Sequence, residues 1–172
     1  MLLSELARPT RHELIGRDVE VKELIYNSRK VKNGDVFCCI VGTFADGHKY
    51  AQQAVDAGAA ALVVERKLDI DVPQILVEDT RIAMAEMAAA YYGYPSREMQ
   101  MIGVTGTNGK TSTTYMLKAI AERMGKKVGL IGTIRNMIGD IIIDTERTTP
   151  ESVDLQRILR QMKDEKVDVV IM

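Results

Sequence analysis

The sequence predicts an α/β fold built as two successive parallel-sheet units. Three observations carry that expectation. Short apolar runs of strand length alternate with amphipathic stretches of helix length. A Gly-Tyr-Pro-Ser-Arg-Glu stretch at 93–98 interrupts the alternation near its middle and reads as a linker. Beyond it the alternation restarts on a strand, a glycine-rich turn and a helix. The 172 residues suit one domain or two small ones, and the linker divides them into 1–97 and 98–172.

Residues 1–34 are mixed and polar, with one β-like stretch around 19–26. The run Asp35–Gly42 is a strand, bounded by Asn33-Gly34 and by Gly42 itself. Residues 48–58 read as a helix with Tyr50, Ala54, Val55 and Ala57 near one face and Gly58 as its stop. Strands follow at 61–65 and 74–78, the latter opened by Pro73, where a missing N–H is tolerated. Asp79 or Thr80 caps a helix reaching about Tyr92, with Ala83, Met87, Ala90 and Tyr91 at helical spacing. In the second half, 101–106 is a strand and 109–124 a helix whose inner face is Met116, Leu117, Ile120, Ala121 and Met124. A strand at 127–133, a hairpin around Gly139-Asp140, a helix at 150–164 and a strand at 167–172 complete the series. Thr149 followed by Pro150 reads as N-cap and first helical residue, and such a helix start suits a sugar or pyrophosphate oxygen. The methionines at 84, 87, 116 and 124 read as core filler.

Composition narrows the function classes. With 23 Lys+Arg against 24 Asp+Glu the net charge is -1, which argues against a generally basic nucleic-acid binder and an acidic tail. No run approaches the roughly 18–20 apolar residues of a membrane span. The N-terminus carries Glu5, Arg8, Arg11 and Glu13 where a signal peptide needs its apolar core. Cys38 and Cys39 are adjacent, too close for an unstrained disulfide, and read as buried thiols of a cytoplasmic protein. His48 has no second histidine or cysteine cluster beside it and reads as a loop or helix-start residue; His12 carries no functional reading. The clusters Arg29–Lys32 and Lys126-Lys127 are solvated cations that help attract an anionic ligand.

The sharpest motif is Val104–Thr114, which holds Gly106, Gly109, Lys110 and Thr111 between an apolar strand and an amphipathic helix. Glycines let the backbone turn its N–H groups toward phosphate oxygens, and the helix N-terminus adds partial positive charge. A lysine after the second glycine reaches β- and γ-phosphates, and the next hydroxyl can ligate Mg²⁺. The strict G-x-x-x-x-G-K-[ST] pattern is not met, because its first glycine would fall on Val104. The segment is a variant phosphate loop.

The stretch Gly106–Ser112 resembles the ATP loop of the Mur ligases, amide-forming enzymes of peptidoglycan synthesis that activate a carboxylate as an acyl phosphate. Residues 26–65 resemble the uridine-binding domain of the same family, through S-R-x-V-x-x-G-D-x-F, G-x-x-x-D-G-H and A-x-x-A-G-A. Residues 147–152 resemble its substrate-contacting threonine segment. The similarity is to the members that add the third amino acid, diaminopimelate or lysine, to UDP-MurNAc-L-Ala-D-Glu. Thr107-Asn108 and the Thr-Thr-Pro segment favour these over the D-Ala-D-Ala-adding members. The resemblance implies a small N-terminal uridine-binding α/β domain followed by the first, incomplete part of a P-loop-type ATPase domain.

It implies that Gly106, Thr107, Asn108, Gly109, Lys110, Thr111 and Ser112 bind ATP, with Lys110 on the phosphates and Thr111 on Mg²⁺. Tyr26, Ser28 and the segment Thr43, Phe44, Ala45 then match uridine-nucleotide contacts, and Thr148 and Thr149 match UDP-sugar contacts. Asn27 stands where the family usually has Asp before Ser-Arg. No nucleic acid, membrane or oligomeric partner is implied. The chain stops at Met172 inside an apolar strand, ahead of the family's metal-binding and amino-acid-binding segments. This predicts an N-terminal piece of a larger ligase, inactive alone, whose last strand leaves an open apolar edge. A non-catalytic module that binds a UDP-sugar or nucleotide is the alternative from a different class.

Overall fold

The computed structural model describes residues 1–42, 45–143 and 150–172. The chain divides into two compact units, Met1–Tyr91 and Tyr92–Met172, and the stretch 93–98 lies within the second.

The first unit runs α1 (Leu3–Ala7), β1 (Glu13–Ile15), β2 (Leu24–Ile25), β3 (Val36–Cys38), α2 (Ala51–Asp56), β4 (Ala61–Val64), β5 (Gln74–Leu76) and α3 (Thr80–Tyr91). Its sheet has the order β1-β5-β4-β3-β2. Strands β2 to β5 are mutually parallel, and β1 pairs antiparallel on β5. Both faces of the central strands are covered, which is why β3 and β4 are continuous apolar runs rather than alternating ones. Phe37, Leu62 and Val64 point to the face closed by Ala51 and Ala54 of α2. Full burial of Phe37 contributes about 1.5–3 kcal/mol relative to an exposed position.

The first strand and first helix have no counterpart in the sequence expectation. α1 is five residues long, and distant partners hold it: Leu3 N donates to Val19 O at 2.9 Å and Val21 N to Met1 O at 2.8 Å. α2 is shorter than the expected 48–58 helix, because Gly47–Tyr50 forms a 3₁₀ turn ahead of it. Its buried residues are Ala51 and Ala54, while Tyr50 and Ala57 are exposed, so the expected face is rotated. α3 starts as expected: the Asp79 carboxylate accepts from the N–H groups of Arg81 and Ile82 at 2.8 and 2.9 Å.

The second unit runs β6 (Gln100–Ile102), α4 (Lys110–Arg123), β7 (Val128–Leu130), β8 (Asn136–Ile138), β9 (Ile141–Ile143), α5 (Ser152–Asp164) and β10 (Val169–Ile171). The sheet order is β6-β10-β7-β8-β9, with β6, β10 and β7 parallel and β8–β9 an antiparallel hairpin. The expectation that the final strand forms an open edge is therefore wrong. β10 lies between β6 and β7, bonded on both sides, and Val170 and Ile171 are fully buried. Among the described residues the edges are β6 and β9, whose Met101, Ile141 and Ile142 are exposed.

Two helix expectations are also corrected. On α4 the inward residues are Thr114, Leu117, Lys118 and Ala121, whereas Met116, Ile120 and Met124 are exposed. The helix carries two apolar stripes, and its start immediately after the glycine turn fixes which one meets the sheet. Met116 and Met124 are accordingly not core, while Met84 and Met87 are. α5 begins at Ser152 with Glu151 as N-cap, so Pro150 is not its first residue, and the expected cap at Thr149 lies outside the described residues. Leu155 N makes an i→i−4 bond to Glu151 O at 2.8 Å, and the inward face runs Val153, Ile158, Leu159, Met162.

Candidate functional site

In the second unit β6 leads into the glycine turn. The β6–β10 ladder extends past the named strands through Val104 N to Met172 O at 2.7 Å, which fixes the strand end from which the turn departs. Gly106 and Gly109 adopt φ of 152° and 78°, and Gly109 is the N-cap of α4 in the left-handed conformation. A side chain at Gly109 would meet open space, so glycine is needed there for its backbone and not for room. Thr113 N bonds Gly109 O at 2.9 Å, so the N–H groups of Lys110, Thr111 and Ser112 lie ahead of that first i→i−4 bond. Their orphan amides and the dipole of a 14-residue helix make an anion-seeking terminus.

Gly106 to Lys110 are exposed, as is Ser112. Lys110 Nζ donates to Gly106 O at 2.6 Å, so the ammonium lies folded over the turn it belongs to. Thr111 is half-buried, and its carbonyl accepts from the Thr114 hydroxyl at 2.8 Å. Beside them opens a cavity of about 170 Å³ lined by Val104, Lys110, Thr111, Tyr115, Thr133 and Pro150 among others. The structure thus gathers the expected residues 106–112 around one helix start. Thr148 and Thr149 lie outside the described residues, with Pro150 at the cavity wall.

Lys118, which the sequence did not single out, is buried on the inner face of α4. Its ammonium contacts Glu122 at 2.5 Å and Asp140 of the hairpin turn at 3.9 Å. The i,i+4 spacing to Glu122 is the signal that could have found it.

In the first unit, the expected nucleotide contacts follow the C-terminal ends of parallel strands, the edge where open α/β sheets bind ligands. Tyr26 and Ser28 follow β2. Ser28 opens a 3₁₀ turn capped by Asn27, whose side chain accepts from Arg29 N at 3.1 Å. The Ser28 hydroxyl donates to Gln53 Oε1 of α2 at 3.2 Å. Asn27 therefore fills the capping role open to the Asp usual in that place. Ala45 is exposed in the turn after β3; Thr43 and Phe44 lie outside the described residues.

Next to that turn stands a polar cluster the sequence did not reveal as a unit. Asp46 Oδ2 accepts from Arg66 Nη2 at 2.6 Å, and Asp46 Oδ1 accepts from His48 N at 3.0 Å and lies 2.6 Å from His48 Nδ1. The opposite ring nitrogen, Nε2, accepts from Glu65 N at 3.0 Å, so the imidazole proton resides on Nδ1. Glu65 Oε1 accepts from Thr80 N and from the Thr80 hydroxyl at 2.9 and 2.8 Å. The Arg66 guanidinium above all, with His48, holds the Asp46 carboxyl well below the usual carboxylate range. Burial, reinforced by the Asp46 charge, pushes the Cys39 thiol up to about 12, and burial raises Cys38 as well. Both cysteines are free and buried, as expected. His48 lies at the start of the 3₁₀ turn Gly47–Tyr50 as its second residue, and both its ring nitrogens are engaged.

No helix of the described residues is long and apolar enough to cross a membrane. Among the described residues no group of three or more His, Cys, Asp and Glu side chains is placed to hold a metal.

Comparison with known proteins matches residues 20–92 to the Mur ligase family, catalytic domain, and residues 104–172 to the Mur ligase middle domain. The chain is 51% identical over 158 residues to a UDP-N-acetylmuramoyl-L-alanyl-D-glutamate--2,6-diaminopimelate ligase of Clostridium botulinum, covering 89% of this chain and 33% of that protein. It is 46% identical over 175 residues to the same-named ligase of Caldanaerobacter subterraneus, covering 100% of this chain and 36% of the relative. The chain spans about a third of the length of the curated relatives it matches. Its fold is similar to a solved ligase of that name, with a TM-score of 0.75 at 24% identity over 88% of this chain and 31% of the other. It is also similar to a MurF ligase from Thermotoga maritima in complex with ADP, with a TM-score of 0.58 at 27% identity, covering 88% of this chain and 31% of that one.

Proposed function

The chain belongs to the Mur ligase family, and from that membership we propose that it supplies the nucleotide-sugar and ATP sites of an amide ligase of peptidoglycan precursor synthesis. The reaction is addition of the third amino acid to UDP-MurNAc-L-Ala-D-Glu. Diaminopimelate is the amino acid, because the relatives at about 45–50% identity carry it in their names. The relatives' ligation names support this reading over a non-catalytic binding module.

The observation that carries the reading is the helix start at Lys110. Left-handed Gly109, the unbonded amides of Lys110 to Ser112 and the lysine ammonium converge on one exposed point after the edge strand β6. Terminal phosphates of ATP arriving there take the Lys110 ammonium from Gly106 O and neutralise the helix terminus. Positive charge at that point favours attack of a carboxylate oxygen on the γ-phosphorus with cleavage of the bond to the β-phosphate oxygen, which gives an acyl phosphate and ADP.

Magnesium fits this donor set as a nucleotide-borne ion. The Thr111 hydroxyl is a hard oxygen at the first turn of α4 and would hold the ion there together with the nucleotide phosphates. Bound there, the ion would offset charge developing on the transferred phosphoryl group.

Calorimetric titration of the chain with ATP and Mg²⁺, and separately with UDP-MurNAc-L-Ala-D-Glu, tests the two sites. Saturable binding of both is expected. Binding of neither overturns the reading.

A further inference from the structure

We propose that Thr133, on the loop after β7, donates its hydroxyl to the γ-phosphoryl group of ATP and so lets the site tell ATP from ADP. The inference rests on the ATP reading of the helix start given above.

Two loops leave the second sheet at the same edge. β10 lies between β6 and β7 and all three are parallel, so the chain departs from β6 and β7 at their C-terminal ends, where open α/β sheets bind ligands. The loop after β6 is the glycine turn, and the loop after β7 covers residues 131–135 before β8 returns antiparallel. Both departures are tied to β10: Val104 N donates to Met172 O at 2.7 Å, and Ile131 N donates to Ile171 O at 2.9 Å. The cavity beside the helix start is lined by Lys110 and Thr111 of α4 and by Gly132 and Thr133 of the second loop.

A buried amide holds that second loop. Backbone pairing of β7 with β8 reaches Leu130 and Met137. Just past it, Gly132 N donates to the Asn136 side-chain oxygen at 3.0 Å, and Asn136 is only 1% exposed. A side chain so enclosed has little freedom, and the residue next to Gly132 is presented at the cavity in a set place. That residue is Thr133, which is exposed and whose hydroxyl makes no hydrogen bond among the described residues.

The chemistry of the lining selects the ligand atom. The helix start and Lys110 supply donors from the α4 side, and these meet the β- and γ-phosphates. The γ-phosphoryl group is the outermost of the chain of phosphates and has oxygens left over for a donor from another direction. Among the described residues that line the cavity from outside α4, Thr133 alone carries a side-chain donor; the others are apolar or glycine. ADP has no group at that position. Thr133 keeps its proton throughout: no bond at its oxygen forms or breaks while a carboxylate oxygen attacks the γ-phosphorus and the bond to ADP is cleaved.

The test is calorimetry on the whole 172-residue chain with MgATP and MgADP as probes. Wild type, Thr133→Val and Thr133→Ser are compared, with UDP titrated in parallel and thermal unfolding recorded. Thr133→Val keeps the branched shape and removes the donor at an exposed position, so folding is preserved. The expected result is ATP binding about tenfold weaker in Thr133→Val, with ADP and UDP affinities unchanged. Thr133→Ser, which retains the hydroxyl, should bind ATP nearly as wild type does. Unchanged ATP affinity in Thr133→Val, an equal loss for ATP and ADP, or a Thr133→Ser as weak as Thr133→Val each overturns the γ-phosphoryl contact alone. A wild-type chain that binds neither ATP nor ADP overturns the ATP reading and this contact with it.

Discussion

The sulfur of Met162 on α5 lies 2.6 Å from the point that a β-carbon on Gly129 would occupy, so helix and strand meet where β7 has no side chain. Met162 is fully buried in the cluster with Ile158, Leu159 and Val170, which limits how far it can retreat. Gly129→Ala should therefore destabilise the second unit by about 1–3 kcal/mol, the usual cost of overpacking. Adding Met162→Leu should recover part of that loss. Chemical denaturation of the two variants and the double mutant checks both statements; a neutral Gly129→Ala would contradict them.

Gly47→Ala should be at least as damaging, for a different reason. The clash is with backbone atoms of Cys39 and Ile40, which cannot rotate away. A loss of about 2–4 kcal/mol in the first unit is expected, read as a fall in the midpoint of urea denaturation.

Lys110→Ala should weaken ATP binding roughly ten- to hundredfold, the range for losing charge-assisted hydrogen bonds of about 1.5–3 kcal/mol. UDP binding should be unchanged, because the two ligands are assigned to different units. Titration of each ligand into the variant separates the effects.

Asp46 makes the first unit acid-sensitive. Its carboxyl is depressed by Arg66 and His48, so its contribution is present above the unfolded-state value near about 4 and is lost as pH falls toward the folded value. The melting temperature of wild type should drop between about pH 5 and pH 3, and Asp46→Asn should show a lower but flatter profile over that range. Parallel profiles in the two proteins would exclude Asp46 as a source.

Cys38 and Cys39 should be inert in the native protein. Burial raises both thiols, Cys39 to about 12, leaving almost no thiolate at pH 8. A chromogenic disulfide reagent should titrate neither thiol before denaturant is added and both afterwards.

Much of this architecture was readable from spacing and residue type. The strand–turn–helix around Lys110 and the cap at Asp79 both depend on neighbours within a few residues, which sequence pattern records. What it missed depends on distance along the chain. α1 is held by residues 18–21, β1 by pairing with β5, and the cluster around Asp46 by Glu65, Arg66 and Thr80, far along the chain. α4 misled because it carries two apolar stripes, and only the fold selects Leu117 and Ala121 over Met116 and Ile120. Pro150 reads as a first helical residue because Thr-Pro is a common helix opening, yet the apolar period that the sheet recognises begins at Val153.

The central place of β10 constrains the order of folding. β6 and β7 are not neighbours until residues 169–171 enter between them, some 70 positions after β6 was made. The second sheet cannot grow outward from its earliest strands during synthesis; it must wait for a late strand to close a long loop. Because Val104 is itself fixed by Met172, the glycine turn gains its anchored starting point only at that moment. Nucleotide capture by a nascent chain would thus report that β10 has arrived.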